Sequence, residues 1–420
     1  PPRSTLFPYT TLFRSLDPKD LTPETIAVTF AKTSRSPLSF REIAKDLTDE
    51  KSSEFHEKWV VGYGHASVAE HAVLHIAFEN ISRMAVETLQ ACRLASFTEK
   101  STRYQKWGSQ DFYTPEEIRQ SELSGVYTST CITLFETYLH CLEVVENWLK
   151  EHAPLVENEE PGARQRRLRT DAIDACRFLL PSAALANVGM TVNARELEHA
   201  ITKMLSSPIS EVRLIGEEMK AVAMREVPTL LKYAAPSSYM EGLPGKIHSF
   251  DESGGEPQDW CVLRSYDSQA AVKLCAAAIF RYGHTSYPAA LEHAVNLDAS
   301  ARLELLQCLL GEITPHELPL REAEHINFSF EIIMDQGAYY EFKRHRMMTQ
   351  TTQHLSTRLG YAIPKAISEV GFEQPYRQAM DLATAAYEEL AAWNPSVAAY
   401  VVPNAFNRRV LCRLNMRELF

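Results

Sequence analysis

Hydrophobic and polar residues alternate in two short stretches of the chain. Leu74, Ile76 and Phe78 share one side of the first stretch, and residues 326–332 repeat the same period of two more strongly. This period predicts a half-buried strand at each place. Six longer segments are predicted as helices: 122–150, 164–185, 194–205, 209–225, 269–281 and 376–392.

One set of sequence blocks occurs twice. Gly-His-x-Ser lies at 64–67 and 283–286, Glu-His at 70–71 and 324–325, and Asn-x-Arg-Glu-Leu at 193–197 and 415–419. The second copy is longer than the first between its first two blocks and shorter by a similar amount before the third. The spacing from Pro181 to Asn193 recurs unchanged from Pro403 to Asn415. Such a repeat indicates two related lobes.

The repeat and the composition of its flanks suggest four segments. Residues 1–15 look like the translation of a sequencing adaptor and are set aside as non-native. A first lobe spans 16–240, a linker rich in Pro, Gly and Ser spans 241–260, and a second lobe spans 261–420. The second lobe is expected to be incomplete at its C-terminal end. Each lobe is predicted to be α+β, a small sheet packed by long helices.

Composition argues against several classes of function. The 420 residues carry a net charge of −11, whereas binding to a nucleic-acid backbone requires a surplus of Lys and Arg. The eight cysteines form no CxxC pair and no secretion signal is evident, which indicates free thiols in a reducing cytoplasm. No apolar run approaches the roughly 20 residues of a membrane span. Clusters of Arg, Ser and Asn at fixed spacing instead suit small anions.

Taken together, the blocks resemble the flavin-dependent thymidylate synthases. That family's signature is Arg-His-Arg, then Ser and Ser-x-Arg, preceded by His-x-Ser/Thr and Glu-His and followed by Asn-x-Arg on a helix. Here Arg-His-Arg stands at 344–346, and Ser-x-Arg stands at 101–103 and 356–358. The resemblance covers residues 61–233 and 281–420. Four blocks in one order, found twice, make the match specific.

The resemblance implies a set of ligand contacts. Guanidinium groups match phosphate oxygens bidentately, which suits both a dinucleotide and a nucleotide. No metal site is expected. FAD contacts are expected at Ser67, Arg93, Glu99, Asn193, Arg195, His199, Ser286, Arg344, His345, Arg346, Asn415 and Arg417. Contacts to dUMP are expected at Ser101, Arg103, Arg177, Arg344, Ser356 and Arg358.

The same resemblance implies the reaction and the assembly. The expected activity is methylation of dUMP to dTMP, with FAD as redox carrier, NADPH as reductant and methylenetetrahydrofolate as carbon donor. Family members are homotetramers whose sites lie at subunit interfaces, so a two-lobed chain is expected to form a homodimer of the same four-lobed shape. We expect unequal sites that take Arg344–Arg346 from one lobe and Ser101, Arg103 and Arg177 from another.

Neither lobe has the complete family pattern. The first copy reads Ala91-Cys92-Arg93 in place of Arg-His-Arg, and Cys92 is interpreted as a small packed residue. The family's arginine that polarises uracil corresponds to Met204, and its second-copy position falls beyond Phe420. In the second copy Ala399 stands at the position of Arg177. The catalytic residue is therefore unassigned.

Three alternatives remain open. The chain could be a non-catalytic flavin- or nucleotide-binding member of the same fold, which Met204 and Ala91 favour. The Glu-x-x-His pairs Glu196/His199 and Glu322/His325 are also typical of di-metal carboxylate oxidoreductases, although such sites need further inward carboxylates. Finally, the second lobe could be a structural partner only. His71 and His75 are interpreted as packing residues of a strand, not as metal ligands.

Overall fold

The computed structural model describes residues 21–62, 64, 66–154, 156–248, 259–311, 313–314 and 316–420. The adaptor-like segment 1–15 and His65 of the first Gly-His-x-Ser block lie outside the described residues. Half of the predicted linker, 249–258, lies outside them too, whereas its first part, 241–248, is helical. Within the described ranges, no helix is both long enough and apolar enough to cross a membrane.

The chain divides into two compact units, and these are not the two lobes of the repeat. Among the described residues, one unit contains those within 21–81, 85–100 and 186–248, and the other contains those within 82–84, 101–185 and 259–420. Residues 101–185 of the first copy therefore pack together with the whole second copy. The repeat describes how the sequence is duplicated, whereas the units describe which segments share a core.

The first unit is a three-stranded sheet covered by helices. In chain order it contains α1 (Pro23–Thr33), α2 (Phe40–Lys45), α3 (Asp49–Phe55), a π-helical segment (His56–Gly62), a 3-10 segment (Ala66–His71), β1 (Val73–Ser82), α4 (Arg83–Leu89), β2 (Ala95–Glu99), β3 (Leu185–Asn193), α8 (Ala194–Leu205), α9 (Ser210–Ala223) and α10 (Ser238–His248). The strand order is β1-β3-β2, with β2 and β3 antiparallel.

The second unit contains a four-stranded sheet beside a helical layer. Its helices from the first copy are α5 (Glu116–Arg119), α6 (Ser124–His152), α7 (Pro161–Cys176) and a 3-10 turn (Arg177–Leu179). The second copy adds β4 (Cys261–Tyr266), α11 (Ala270–Tyr282), α12 (Tyr287–Asn296), α13 (Ala299–Leu310), a 3-10 segment (Arg321–His325), β5 (Asn327–Asp335), α14 (Gln336–Phe342), β6 (Thr349–Thr352), α15 (Lys365–Glu369), α16 (Glu373–Trp393), α17 (Pro395–Ala398), a 3-10 turn (Ala399–Val401), β7 (Asn407–Asn415) and α18 (Met416–Leu419). The strand order is β4-β5-β7-β6, antiparallel throughout.

The α+β prediction and both predicted strands are confirmed. Leu74 and Phe78 of β1 are buried in the core of the first unit, together with residues of β3 and α8. Ile332 of β5 is buried against Cys412 and Leu414 of β7. Alternation places these side chains on one face of each sheet, because successive residues of a strand point to opposite faces.

Most predicted helices begin and end close to their expected bounds. The exception is the segment 164–185, which is wrong in its second half. Helix α7 ends at Cys176, because Pro181 lies just ahead and a proline cannot continue a helix. Helix α6 ends at His152, and Ala153 after it has the extended backbone that a following proline, Pro154, imposes.

The second unit is organised round a reciprocal contact between the two copies, here called the clasp (residues 177–184 and 399–406). At its centre Pro181 and Pro403 form an antiparallel bridge. The flanking hydrogen bonds occur in pairs: each bond has a counterpart in which donor and acceptor are the equivalent residues of the other copy. This is the pattern of a contact with two-fold symmetry. Ser182 N donates to Val402 O (3.0 Å) and Asn404 N to Leu180 O (3.0 Å), while Ala183 N donates to Tyr400 O (2.8 Å) and Ala405 N to Phe178 O (3.0 Å).

The clasp also fixes the starts of two helices. Arg83 N, which begins α4 but belongs with residues 82–84 to the second unit, donates to Ala184 O at 2.9 Å. Gln336 N, at the start of α14, donates to Phe406 O at 3.0 Å. These are again equivalent bonds of the two copies. The duplication inferred from spacing is thus confirmed at the level of individual backbone hydrogen bonds.

His56 is an ionisable group inside the core of the first unit. Its imidazole is fully buried, with Nε2 3.0 Å from Glu24 O. Nδ1 is buried and has no hydrogen-bond partner among the described residues. Burial lowers the pKa of His56 from its ordinary 6.5, because desolvation penalises the charged ring, although the contact with Glu24 opposes this.

We therefore expect His56 to make folding sensitive to acid. The folded-state pKa lies below the unfolded-state pKa, so below about pH 6.5 the unfolded chain takes up a proton that the folded chain excludes. Stability from this group is present above that pH and is lost as the pH falls. Urea denaturation gives the free energy of unfolding at each pH. Between about pH 7.5 and about pH 5.5 this free energy should fall less for His56→Gln than for the parent chain.

The control for this experiment is His75→Gln. His75 is an exposed histidine of the same unit, bonded through Nδ1 to Thr191 Oγ1 at 2.9 Å. Its replacement should leave the acid sensitivity as it is in the parent chain. If the parent and His56→Gln lose equal stability on acidification, the buried ring does not carry the effect.

Candidate functional site

The Arg-His-Arg block forms the turn after α14. Asp335 caps this helix by accepting a hydrogen bond from Ala338 N at 2.7 Å, and Arg344 N and His345 N then close the turn onto carbonyls of its last residues. The Arg344 and His345 side chains are exposed; Arg344 Nη1 lies 3.0 Å from Glu341 Oε2. Three polar side chains are thus presented on one short turn.

Arg346 is held differently from its two neighbours. Its side chain is half-buried, and its Nη1 atom is buried with no hydrogen-bond partner among the described residues. A guanidinium nitrogen that is shielded from water and unpaired costs free energy unless a ligand or water satisfies it. The turn therefore has one cationic donor available for an anion.

The Ser-x-Arg block at 101–103 forms a second cationic turn. Ser101 Oγ accepts a hydrogen bond from Arg103 N at 3.2 Å. The Arg103 side chain donates two hydrogen bonds to Oδ2 of Asp174 on α7, from Nε at 2.8 Å and from Nη2 at 2.6 Å. This bond raises the pKa of Arg103. The turn and the end of α7 are thereby joined.

Arg177 lies on the other side of the same carboxylate. Its Nε is 3.2 Å from Asp174 Oδ1, and its Nη1 donates to Thr102 Oγ1 at 3.3 Å. Burial lowers the pKa of Arg177, while the charges of Asp174 and Glu341 raise it. Only 17% of the Arg177 side chain is exposed, against 50% for Arg103.

The clasp brings the two turns into one neighbourhood. Arg177 O accepts a hydrogen bond from Asn404 Nδ2 at 3.0 Å, and Asn404 O accepts one from Gly337 N at 3.0 Å, within α14. A Cβ atom on Gly337 would lie 3.4 Å from the ring of Phe178. Glu341 acts electrostatically on both Arg103 and Arg177. First-copy arginines and the helix that leads to Arg344 therefore share one site region.

The second copy builds the same turn without the same partners. Ser356 Oγ accepts a hydrogen bond from Arg358 N at 3.5 Å, as Ser101 does from Arg103. Aligning Pro181 with Pro403 places Ser396 and Ala399 where the first copy has Asp174 and Arg177. A second cluster of two arginines on one carboxylate is therefore not encoded there.

The Asn-x-Arg blocks are helix starts in both copies. Asn193 caps α8 by accepting from Glu196 N at 2.9 Å, and Asn415 caps α18 by accepting from Glu418 N at 3.0 Å. The following arginines pair with the Glu-His blocks, Arg195 with Glu70 at 2.5 Å and Arg417 with Glu324 at 2.7 Å. The sequence blocks are thus linked in space in the same way twice.

The remaining expected contacts are scattered over the first unit and α12. Arg93 and His199 are exposed, and Glu99 accepts a hydrogen bond from Gln90 Nε2 at 2.9 Å. Ser67 is exposed on the 3-10 segment and lines a cleft of about 530 Å³ with Phe30, Arg35 and Trp59. Ser286 occupies the N-cap position of α12, where its side chain makes no capping bond.

Two residues of the first copy are core residues. Met204 is 1% exposed and belongs to the core of the first unit, so it cannot present a group to a ligand. Cys92 is in the same core, and burial raises the pKa of its thiol to about 11. The interpretation of Cys92 as a packed residue agrees with both observations.

The histidine and Glu-x-x-His pairs do not form a metal cluster in the part of the chain that the structure describes, where no three His, Cys, Asp or Glu side chains are suitably grouped. Glu322 instead accepts two 2.8 Å bonds from Arg281. The prediction that His71 lies in a strand was wrong: it ends the 3-10 segment and packs against Phe30, with ring centroids 5.0 Å apart. His75 does lie in β1.

Sequence reasoning missed Asp174, Glu341 and Asn404. Asp174 could have been found, because it lies three positions before Arg177 on a predicted helix, a spacing at which side chains meet. Glu341 and Asn404 gave no such signal. Their roles depend on contacts between segments that are far apart in the sequence.

A profile of the family described as thymidylate synthase complementing protein matches residues 18–229 and 263–420. The chain belongs to this family. The resemblance drawn from the blocks is thereby confirmed, and the two matched segments agree with the repeat.

Several known proteins are similar to this chain. A UPF0159 protein of Chlamydia muridarum is 30% identical over 430 residues, covering 93% of this chain and 81% of its own length. A flavin-dependent thymidylate synthase of Clostridium tetani is 28% identical over 222 residues, covering 51% of this chain and 83% of that protein. The solved flavin-dependent thymidylate synthase of Helicobacter pylori, complexed with FAD and dUMP, is 18% identical with a TM-score of 0.31, covering 51% of this chain and 96% of that one.

The environment of Cys92 predicts an unreactive thiol. With a pKa of about 11, about one thiol in a thousand is ionised at about pH 8, and burial also blocks access. Alkylation with iodoacetamide followed by peptide mass spectrometry should label exposed Cys308 quickly and Cys92 only after unfolding. Equal labelling rates in the folded protein would contradict the packed role.

The cap at Asn193 can be separated from its expected contact with FAD. Asn193→Ala should lower the free energy of unfolding by about 1 kcal/mol, whereas Asn193→Asp, which keeps a capping oxygen, should change it far less. If Asn193 contacts FAD, Asn193→Asp should lower the flavin content of the purified protein although the helix cap is kept. The reason is that the aspartate adds negative charge beside the pyrophosphate of FAD. Normal flavin content in the stable Asp variant would show that Asn193 is a cap only.

Proposed function

We propose that this protein is a flavin-dependent thymidylate synthase that methylates dUMP to dTMP, with methylenetetrahydrofolate as carbon donor and NADPH as reductant. The observation that carries the proposal is the shared neighbourhood of Arg103, Arg177 and the turn at Arg344–Arg346. In the family pattern these are the nucleotide-binding and flavin-binding blocks. A synthase of that name from Clostridium tetani is similar to half of the chain.

The residues fit an anionic dinucleotide and a nucleotide side by side. Arg346 offers a buried, unpaired Nη1 donor, and Arg344 and His345 are exposed beside it. Arg103 and Arg177 already converge on one carboxylate, so both guanidinium groups can reach one anion. FAD, when bound, supplies the redox chemistry that side chains lack. The protein's part is to bind and orient the two ligands and to hold charge in place.

The second candidate is a non-catalytic flavin- and nucleotide-binding protein of the same fold. Met204 favours it, because the position expected to hold the uracil-polarising arginine is apolar and buried. Binding would then be retained without turnover. The two candidates differ in one measurement, the exchange of the hydrogen at C5 of the pyrimidine.

We further propose that two chains associate as a dimer with four lobes, and that the protein acts in the cytoplasm. The exposed apolar side chains of the second copy, including Phe280, Tyr282 and Tyr287, are consistent with a covered surface.

The proposal is tested by measuring bound flavin and tritium release from dUMP labelled at C5. Purified protein should be yellow and should release tritium when folate donor and NADPH are added. Arg346→Gln should reduce flavin content, and Arg177→Gln should weaken dUMP binding at least about tenfold, since each loses a charge-assisted bond to an anion.

Arg166→Gln is the matched control, an exposed arginine on α7 away from both turns. It should leave flavin content, dUMP binding and tritium release at the parental level. Flavin and dUMP binding without tritium release would favour the second candidate. A colourless protein that binds neither ligand would exclude both.

A further inference from the structure

The carboxylate of Asp174 lies between two guanidinium groups. Arg103 donates from Nε to both carboxylate oxygens, at 3.0 and 2.8 Å, and from Nη2 to Oδ2 at 2.6 Å. Arg177 Nε lies at ion-pair distance, 3.2 Å, from Oδ1, without forming a hydrogen bond. Asp174 itself is 28% exposed. One anionic group is therefore coordinated from two sides, at the surface, by the two arginines that the family pattern assigns to the nucleotide.

A simple structural anchor does not account for this arrangement. If Asp174 served to hold the Ser-x-Arg turn in shape, the turn would need it. The second copy forms the same turn, with Arg358 N donating to Ser356 Oγ, although the position of Asp174 is Ser396. The carboxylate is present in the copy that has Arg177 and absent in the copy that has Ala399.

The geometry suits exchange of one anion for another. A guanidinium fork matches the oxygens of a carboxylate and of a phosphate equally well. Arg177 is largely buried, and burial lowers its pKa, so it needs a counter-charge whenever no ligand is bound. Asp174 provides that counter-charge at close range, and Glu341 contributes from farther away.

We propose that the Asp174 carboxylate occupies the place that the phosphate of a nucleoside monophosphate takes between Arg103 and Arg177, so that nucleotide binding requires its displacement. This inference rests on the proposed function. A doubly charged phosphomonoester outcompetes a singly charged carboxylate for two cations, whereas a neutral nucleoside cannot. Asp174 thereby sets the affinity for nucleotide and makes the site selective for a terminal phosphate.

The test is isothermal titration of Asp174→Asn with three probes: dUMP, deoxyuridine and inorganic phosphate. Asparagine keeps the size of the side chain and removes its charge. The variant should bind dUMP and phosphate about tenfold more tightly than the parent, because the competing anion is gone, and deoxyuridine affinity should not change. The salt dependence of phosphate binding should also become steeper.

Asp171→Asn is the matched control, since Asp171 is half-exposed on the same helix and 4.0 Å from Arg167. It should leave all three affinities unchanged. Weaker binding of dUMP and phosphate by Asp174→Asn would overturn the inference and make Asp174 a positioning residue for the arginines. Unchanged affinities would overturn it as well.

The experiment also separates this inference from the proposed function. If Asp174→Asn binds phosphate more tightly than the parent does, displacement of the carboxylate is supported. If the same variant binds dUMP no more tightly than phosphate, the site is not a dUMP site and the proposed function is contradicted. Tight dUMP binding by the parent that is unaffected in the variant would leave the function standing and reject the role of Asp174.

Discussion

The reciprocal backbone contact round Pro181 and Pro403 is the constraint on which the second unit depends. Buried peptide groups must find hydrogen-bond partners, and here each copy satisfies the other through equivalent bonds. Because these bonds involve the backbone, they tolerate different side chains at matching positions. Arg177 can therefore correspond to Ala399 in the other copy while the clasp itself stays symmetric.

This tolerance explains how a duplicated chain becomes unequal. The clasp ties Arg177 through Asn404 to the first turn of α14, which leads to the Arg-His-Arg turn. Side chains of the first copy and a turn of the second copy thus converge. The equivalent positions in the other direction carry Ala91 and Ala399, so Arg344 and Arg177 have no charged counterparts there.

Electrostatics in this region is balanced locally. Arg103, Arg177 and Arg344 each have a carboxylate within ion-pair distance, which lets a cluster of like charges coexist before a ligand arrives. Arg177 Nε and Arg346 Nη1 are both buried nitrogens that have no hydrogen-bond partner among the described residues. Burial raises the pKa of Asp335, which weakens its tendency to carry negative charge in this balance.

The sequence by itself determined two of the strands, β1 and β5, six of the longer helices, the family and the duplication. Alternation, helix caps such as Asn193 and prolines act over short distances along the chain, and the spacing of the blocks can be counted directly. Only the tertiary structure decided which segments share a unit, since residues 101–185 leave their own copy to pack with the other. It alone also revealed Asp174 as a shared partner of two arginines and Met204 as core, because these depend on burial and on contacts between distant segments. Free energies of packing are summed over such contacts, and no local pattern encodes them.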